Sequence, residues 1–163
     1  MEACTRGPEE THALARRVAD LLEPGDVVVL AGDLGAGKTV FAQGIGVGLG
    51  VDEHVTSPTF TIVREHGGGR LPLLHVDVYR LDQVQEVLDL GLDELLDGDA
   101  VMLVEWGDAV AAWLPPSRLE VRLDRLPPEA AGDDVRVLTV TPIGPRWTAR
   151  EPALRAAVQG EAA

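Results

Sequence analysis

The stretch Val27-Val28-Val29-Leu30-Ala31-Gly32-Asp33-Leu34-Gly35-Ala36-Gly37-Lys38-Thr39 decides the fold of this chain. Val27 to Ala31 follow the Pro24-Gly25-Asp26 turn as a continuous apolar run, largely β-branched. A run without polar alternation predicts a strand buried on both faces, the habit of parallel sheets. Gly32 to Thr39 fit G-x-x-x-x-G-K-[ST], and Lys38 opens a helical segment that reaches about Leu49. Strand, glycine loop and helix in that order are the context in which this motif binds phosphate. The glycines let the backbone curl so that successive N–H groups converge on one anion, and the helix N-terminus adds the positive end of its dipole. Asp33, Leu34, Gly35, Ala36 and Gly37 form the cradle, Lys38 reaches the β- and γ-phosphate oxygens, and Thr39 offers a hydroxyl to Mg²⁺. Gly44, Gly46 and Gly48 each cost the helix about 1 kcal/mol relative to alanine, so its extent is loosely set.

Working outward, Thr11 to Leu22 carry an apolar stripe at Leu14, Ala15, Val18, Ala19, Leu21 and Leu22, the period of an amphipathic helix. The residues before it, Cys4 among them, have no such pattern and read as a mobile N-terminus. Val55 to Thr59, rich in Thr, Ser and Pro, predict an ordered loop. Thr61 to Glu65 and Leu71 to Tyr79 flank His66-Gly67-Gly68-Gly69-Arg70 as a hairpin. Asp82 to Leu96 read as a helix in two pieces broken near Gly91, Ala100 to Val104 as a second doubly buried strand, and Gly107 to Leu114 as a short helix closed by Pro115-Pro116. Arg118 to Leu126 and Val135 to Thr141 alternate as strands. The order predicts an α/β fold: one P-loop NTPase domain over residues 1–141, its central sheet mixed, partly parallel and flanked by helices. Residues 142–163, dominated by Pro, Gly and Ala, read as a peripheral or frayed tail.

The 163 residues suit one domain with a single core. A single cysteine excludes an internal disulfide and a multi-cysteine zinc site, which fits a reducing compartment. No segment approaches the roughly 18 apolar residues of a membrane span, and the N-terminus lacks a basic flank and apolar stretch, so the expectation is a cytoplasmic protein. With 14 Lys+Arg against 27 Asp+Glu the net charge is −13, and such a surface repels phosphate backbones, so nucleic acid is reached through a partner. Lys38 is the one lysine among those 14 basic residues, the rest being arginine. A chain that uses arginine for every other cation keeps lysine where a compact ammonium must enter the loop.

A phosphate loop needs a carboxylate at the end of a neighbouring strand to hold Mg²⁺, directly or through water. Val101-Met102-Leu103-Val104-Glu105 places an acid after four apolar residues, which favours Glu105 for the metal. In His75-Val76-Asp77-Val78-Tyr79-Arg80, Asp77 is a candidate for orienting or deprotonating the attacking nucleophile, with a salt bridge to Arg80 or a turn as the plainer alternative. Lys38 and Asp77 are thus the candidate catalytic residues. Thr56, Ser57, Pro58 and Thr59 read either as a switch whose hydroxyls sense the γ-phosphate or metal, or as a turn. Trp106 either stacks on a partner or fills core. His12, His54, His66 and His75 have no metal-ligand spacing.

Taken together, the Gly32-to-Thr39 loop, Val55-Thr56-Ser57-Pro58-Thr59-Phe60-Thr61, His75-Val76-Asp77-Val78-Tyr79-Arg80-Leu81 and Glu105-Trp106 resemble, in order and spacing, the TsaE (YjeE) family. The likeness runs from about Glu10 to Thr141. It implies a P-loop ATPase that acts with the TsaD–TsaB complex to support threonylcarbamoyl transfer to adenosine 37 of tRNA, weakly active alone, touching tRNA only through that complex. It further implies that Thr39 and Glu105 bind Mg²⁺, that the loop binds ATP phosphates, that Asp77 is catalytic, and that Thr56 to Thr59 act as a switch. Thr11 matches a family position near the adenine, and Arg136 a basic position on the last strand near the nucleotide. The chain departs from the family at Gln85-Glu86-Val87-Leu88, where Glu-Glu-Leu-Glu is common, and at Val40, which replaces a second threonine.

Three other functions share a phosphate loop and differ in the residues they need. A GTPase reads guanine with Asn-Lys-x-Asp, which a chain without asparagine and with its one lysine in the loop cannot contain. A small-molecule kinase could use Arg64, Arg70 and Arg80 for an acceptor, but the chain lacks a long arginine-rich lid. A nonenzymatic adaptor would retain the pocket without needing Glu105.

Overall fold

The computed structural model describes residues 1–52, 54–56, 63–78, 89, 91, 98–106, 112–126 and 134–160. The elements are β1 (Glu2–Arg6), α1 (Pro8–Ala19), β2 (Val27–Ala31), α2 (Lys38–Leu49), β3 (Val63–His66), β4 (Leu73–Asp77), β5 (Val101–Glu105), β6 (Arg118–Arg125), β7 (Val135–Ile143), α3 (Pro145–Thr148) and α4 (Glu151–Gln159). The strands form one sheet in the order β1-β7-β6-β2-β5-β4-β3. Its centre is parallel: β2 pairs with both β5 and β6, and β4 pairs with β5. The β3–β4, β6–β7 and β1–β7 pairs are antiparallel. The expected mixed, partly parallel sheet is therefore the observed one.

Burial follows the sequence pattern. Every residue of β5 is buried, as are Val27 to Leu30 of β2, because these central parallel strands are covered on both faces. Val28, Leu30, Leu103, Leu119 and Leu138 join Leu14 and Val18 of α1 and Phe41 and Ile45 of α2 in one cluster. Val27, Val29, Met102 and Val104 face a second cluster with Val76 and Val78. Helix α1 begins at Pro8, three residues before the stripe suggests, since proline at the first turn forfeits no helical hydrogen bond.

Both ends of the chain differ from expectation. The N-terminus is an edge strand, with Glu2 opposite Thr139 and Arg6 opposite Val135. The segment after Thr141 is built into the domain: β7 runs on to Ile143, Trp147 is fully buried, and Leu154 and Val158 of α4 join the α1 cluster. Arg150 anchors it by donating to both carboxylate oxygens of buried Asp26 at 2.6 and 2.8 Å, and Arg17 Nε donates to the Ala157 carbonyl at 2.7 Å. Three apolar anchors at helical spacing suffice to dock a segment whose other residues are mostly small. All of the expected helix over Asp82 to Leu96 except Asp89 and Gly91, and most of that over Gly107 to Leu114, lie outside the described residues, as do Thr61 and Tyr79 at the hairpin's outer ends. No helix among the described residues is long and apolar enough to cross a membrane.

Candidate nucleotide site

The site forms where β2, β4 and β5 end side by side. At the exit of β2 the backbone of Gly32 takes φ +133° and passes so close to β6 that a Cβ there would collide with the Leu123 carbonyl oxygen. This tight turn folds the loop back over the sheet edge. Gly37, at φ 109°, caps α2, so the helix presents its N-terminal amides to the loop interior.

Lys38 is buried on the first turn of α2. Its Nζ donates to the Gly32 carbonyl at 2.7 Å and the Asp33 carbonyl at 2.9 Å, and stands 3.6 Å from the centre of the Trp106 ring. The loop thus binds its own ammonium in the place where phosphate oxygens would meet it. Trp106 follows the last residue of β5 and takes φ 60°, uncommon for a residue with a Cβ, which directs the indole to the ammonium. Of the two readings of Trp106, core filling does not hold, since the ring is only half-buried and lies against the Lys38 ammonium.

Glu105 and Asp77 end neighbouring parallel strands and are opposite each other in register. Glu105 is 2% exposed, and its Oε1 accepts a hydrogen bond from His75 Nε2 at 2.8 Å. Leu34, Gly35, Gly37, Lys38, Thr39, Val40, Asp77, Glu105 and Trp106 line one cleft of about 540 Å³. Hydroxyl, ammonium and two carboxylates therefore share a space in the size range of a small-ligand site.

On the other side of the loop, a second cavity of about 210 Å³ is lined by Gly7, Pro8, Thr11, Gly35, Gly37, Val40, Asp134 and Arg136. The two spaces share Gly35, Gly37 and Val40, so the loop forms the partition of one groove. The Thr11 hydroxyl donates to the Gly7 carbonyl at 3.2 Å and meets the Thr5 hydroxyl at 2.7 Å, while Arg136 Nε donates to the Ala36 carbonyl at 3.2 Å. Two residues far apart in sequence are thereby held against the loop by the β1–β7 edge.

Of the switch candidates, Thr56 is exposed and accepts a 3.4 Å hydrogen bond from Arg64, away from the residues that line the cleft. Ser57, Pro58 and Thr59 lie outside the described residues, as does Arg80, the alternative partner of Asp77. Among the described residues, no group of three or more His, Cys, Asp or Glu side chains is arranged to hold a metal ion. The donors in the cleft, a hydroxyl and one or two carboxylates, fit Mg²⁺, which keeps several waters and completes its shell with substrate phosphates. Sequence reasoning missed the His75–Glu105 bond and the contribution of Gly7 and Pro8. The signal for the first was a lone histidine inside the apolar run of β4.

Comparison with known proteins places this groove in context. The family described as "Threonylcarbamoyl adenosine biosynthesis protein TsaE" matches residues 5–130. A Bacillus subtilis protein named tRNA threonylcarbamoyladenosine biosynthesis protein TsaE is 49% identical over 143 residues, covering 88% of this chain and 86% of its own. One of the same name from Streptomyces coelicolor is 50% identical over 137 residues, covering 82% and 91%. The crystal structure of Bacillus subtilis YdiB superposes with a TM-score of 0.77 at 42% identity, over 95% of this chain and 93% of that one.

Proposed function

The chain belongs to the TsaE family, and from that premise we propose that it is a magnesium-dependent ATPase supporting tRNA threonylcarbamoyladenosine synthesis in the cytoplasm with TsaD and TsaB. The observation that carries this reading is the convergence of Lys38, Thr39, Asp77 and Glu105 on one cleft beside the loop. Amides of Asp33 to Lys38 and the α2 N-terminus bind the phosphates. Lys38 exchanges the Gly32 and Asp33 carbonyls for phosphate oxygens as nucleotide enters. Thr39 and Glu105 hold Mg²⁺, which when bound neutralises charge on the β- and γ-phosphates. Asp77 orients the attacking water. Thr11 and Arg136, across the partition, border the space for the nucleoside.

ATP rather than GTP is favoured by the absence of asparagine and of any second lysine. The net charge of −13 favours contact with tRNA through TsaD and TsaB rather than directly. Phosphate release from ATP, followed for the chain alone and with TsaD and TsaB, tests the reading. Feeble release alone, stimulation by the partners, and loss of both in Lys38→Ala and Glu105→Ala are expected. Stimulated release that survives either substitution, or a clear preference for GTP, would overturn it.

A further inference from the structure

We propose that His75 is a positioning residue that fixes the Glu105 carboxylate for metal binding, an inference that rests on the reading of Glu105 as the acid that holds Mg²⁺. His75 lies on β4 opposite Leu103, and Glu105 is two residues further along β5, so the two side chains are diagonal neighbours on the same face of the sheet. His75 is fully buried and Glu105 nearly so. Around them the face is apolar: Leu73, Val101 and Leu103 are each 0% exposed. The ring of His66, also fully buried, stands 6.3 Å from that of His75 at 39°, closing the far side.

An imidazole in such surroundings is costly unless its N–H is bonded, and a leucine would pack there without that cost. The compensation is the 2.8 Å bond from Nε2 to Glu105 Oε1. That bond commits one carboxylate oxygen to the protein and removes rotation about the end of the glutamate side chain, leaving the other oxygen uncommitted by histidine. A carboxylate that lines the cleft with Thr39 and Lys38 is then held in one orientation before nucleotide arrives. Partners of this kind fix the direction and basicity of metal-binding groups, and their loss weakens metal affinity.

The test uses the full chain loaded with ADP and Mn²⁺ as the probe, titrated by electron paramagnetic resonance. Nucleotide affinity is measured separately with EDTA present. His75→Leu should weaken Mn²⁺ binding by about 10- to 100-fold while ADP affinity in EDTA stays within about twofold of wild type. His75→Gln, whose amide nitrogen reaches the place of Nε2, should restore Mn²⁺ binding to within about threefold, and the shorter His75→Asn should not. Should His75→Leu fail to fold, the glutamine–asparagine pair decides. Wild-type Mn²⁺ affinity in His75→Leu, equal affinities in the Gln and Asn variants, or a parallel loss of ADP binding in EDTA would overturn the positioning role. Glu105→Ala is measured alongside: if it binds Mn²⁺ as wild type does, the metal reading of Glu105 itself fails and the proposal falls with it.

Discussion

Replacing Gly44 by alanine should destabilise the protein, against the expectation from helix propensity. In an isolated helix the change would gain about 1 kcal/mol. Here a Cβ at position 44 would stand 2.6 Å from the Ala15 Cβ and 2.6 Å from the His12 carbonyl oxygen. Both atoms are fixed by the backbone of α1, so no rotamer change relieves the clash and the helices must part. Overpacking of this kind costs about 1–3 kcal/mol, and the rigidity of both contacts argues for the upper end. The net expectation is a loss of about 2 kcal/mol. For a domain of this size it corresponds to a fall of about 4–8 °C in melting temperature. Urea unfolding followed by circular dichroism measures the free energy, and calorimetry the melting temperature. Gly67→Ala, where a Cβ meets nothing within 4 Å, is the control and should change stability by less than about 0.5 kcal/mol. A Gly44→Ala variant more stable than wild type would refute the close approach of α1 and α2, and with it the geometry that sets Thr11 beside the loop.

Lys38→Ala should abolish measurable ATP binding in calorimetry with little change in folding, and Lys38→Arg should fail to rescue it, because the branched guanidinium does not fit a site built for a compact ammonium. Trp147→Ala, at a side chain 0% exposed, should cost about 3–5 kcal/mol in urea unfolding, as no frayed tail could. Arg150→Ala should cost about 2–3 kcal/mol, less than breaking a fully isolated buried pair, since Arg146 remains 3.4 Å from Asp26. The hydrogen bond to Asp26 raises Arg150 above its ordinary range, opposed by burial and aided by the charges of Asp26 and Glu23. A raised folded-state value gives stability that is complete below the unfolded value and lost only as pH climbs through the folded one. The arginine itself therefore contributes no pH dependence below the strongly alkaline range, and the loss in Arg150→Ala should be the same at about pH 6 and about pH 9.

The parts of the fold that could be read from the sequence are those where one strand decides its own burial. Val27 to Ala31 and Val101 to Val104 have no polar residue to turn outward, so they had to be central. Strand β1 could not be read in the same way, because Glu-Ala-Cys-Thr-Arg on a sheet edge owes its structure to pairing with β7 rather than to an apolar face. The C-terminal segment was obscured for a related reason: Trp147, Leu154 and Val158 are few among prolines, alanines and arginines, and their meaning depends on the groove beside α1. The glycines of α2 look like a penalty in sequence; Gly44 and Gly48 are explained by the nearness of α1, and Gly46 by that of Val55. Within the site, Lys38 and Thr39 follow from a local motif, whereas the pairing of His75 with Glu105 depends on β4 lying next to β5 in a particular register. Thr11 and Arg136 likewise meet the loop only through the edge strands, and family resemblance, not spacing, pointed to them.

On the proposed function, this groove couples ATP to continued rounds of tRNA modification. Reconstitution with TsaB, TsaC and TsaD under multiple-turnover conditions, counting threonylcarbamoyladenosine formed per TsaD, addresses it most directly. Modification should continue through many turnovers with the wild-type chain and ATP, and stall without the chain or with Lys38→Ala or Glu105→Ala. Equal turnover with and without the chain would contradict it.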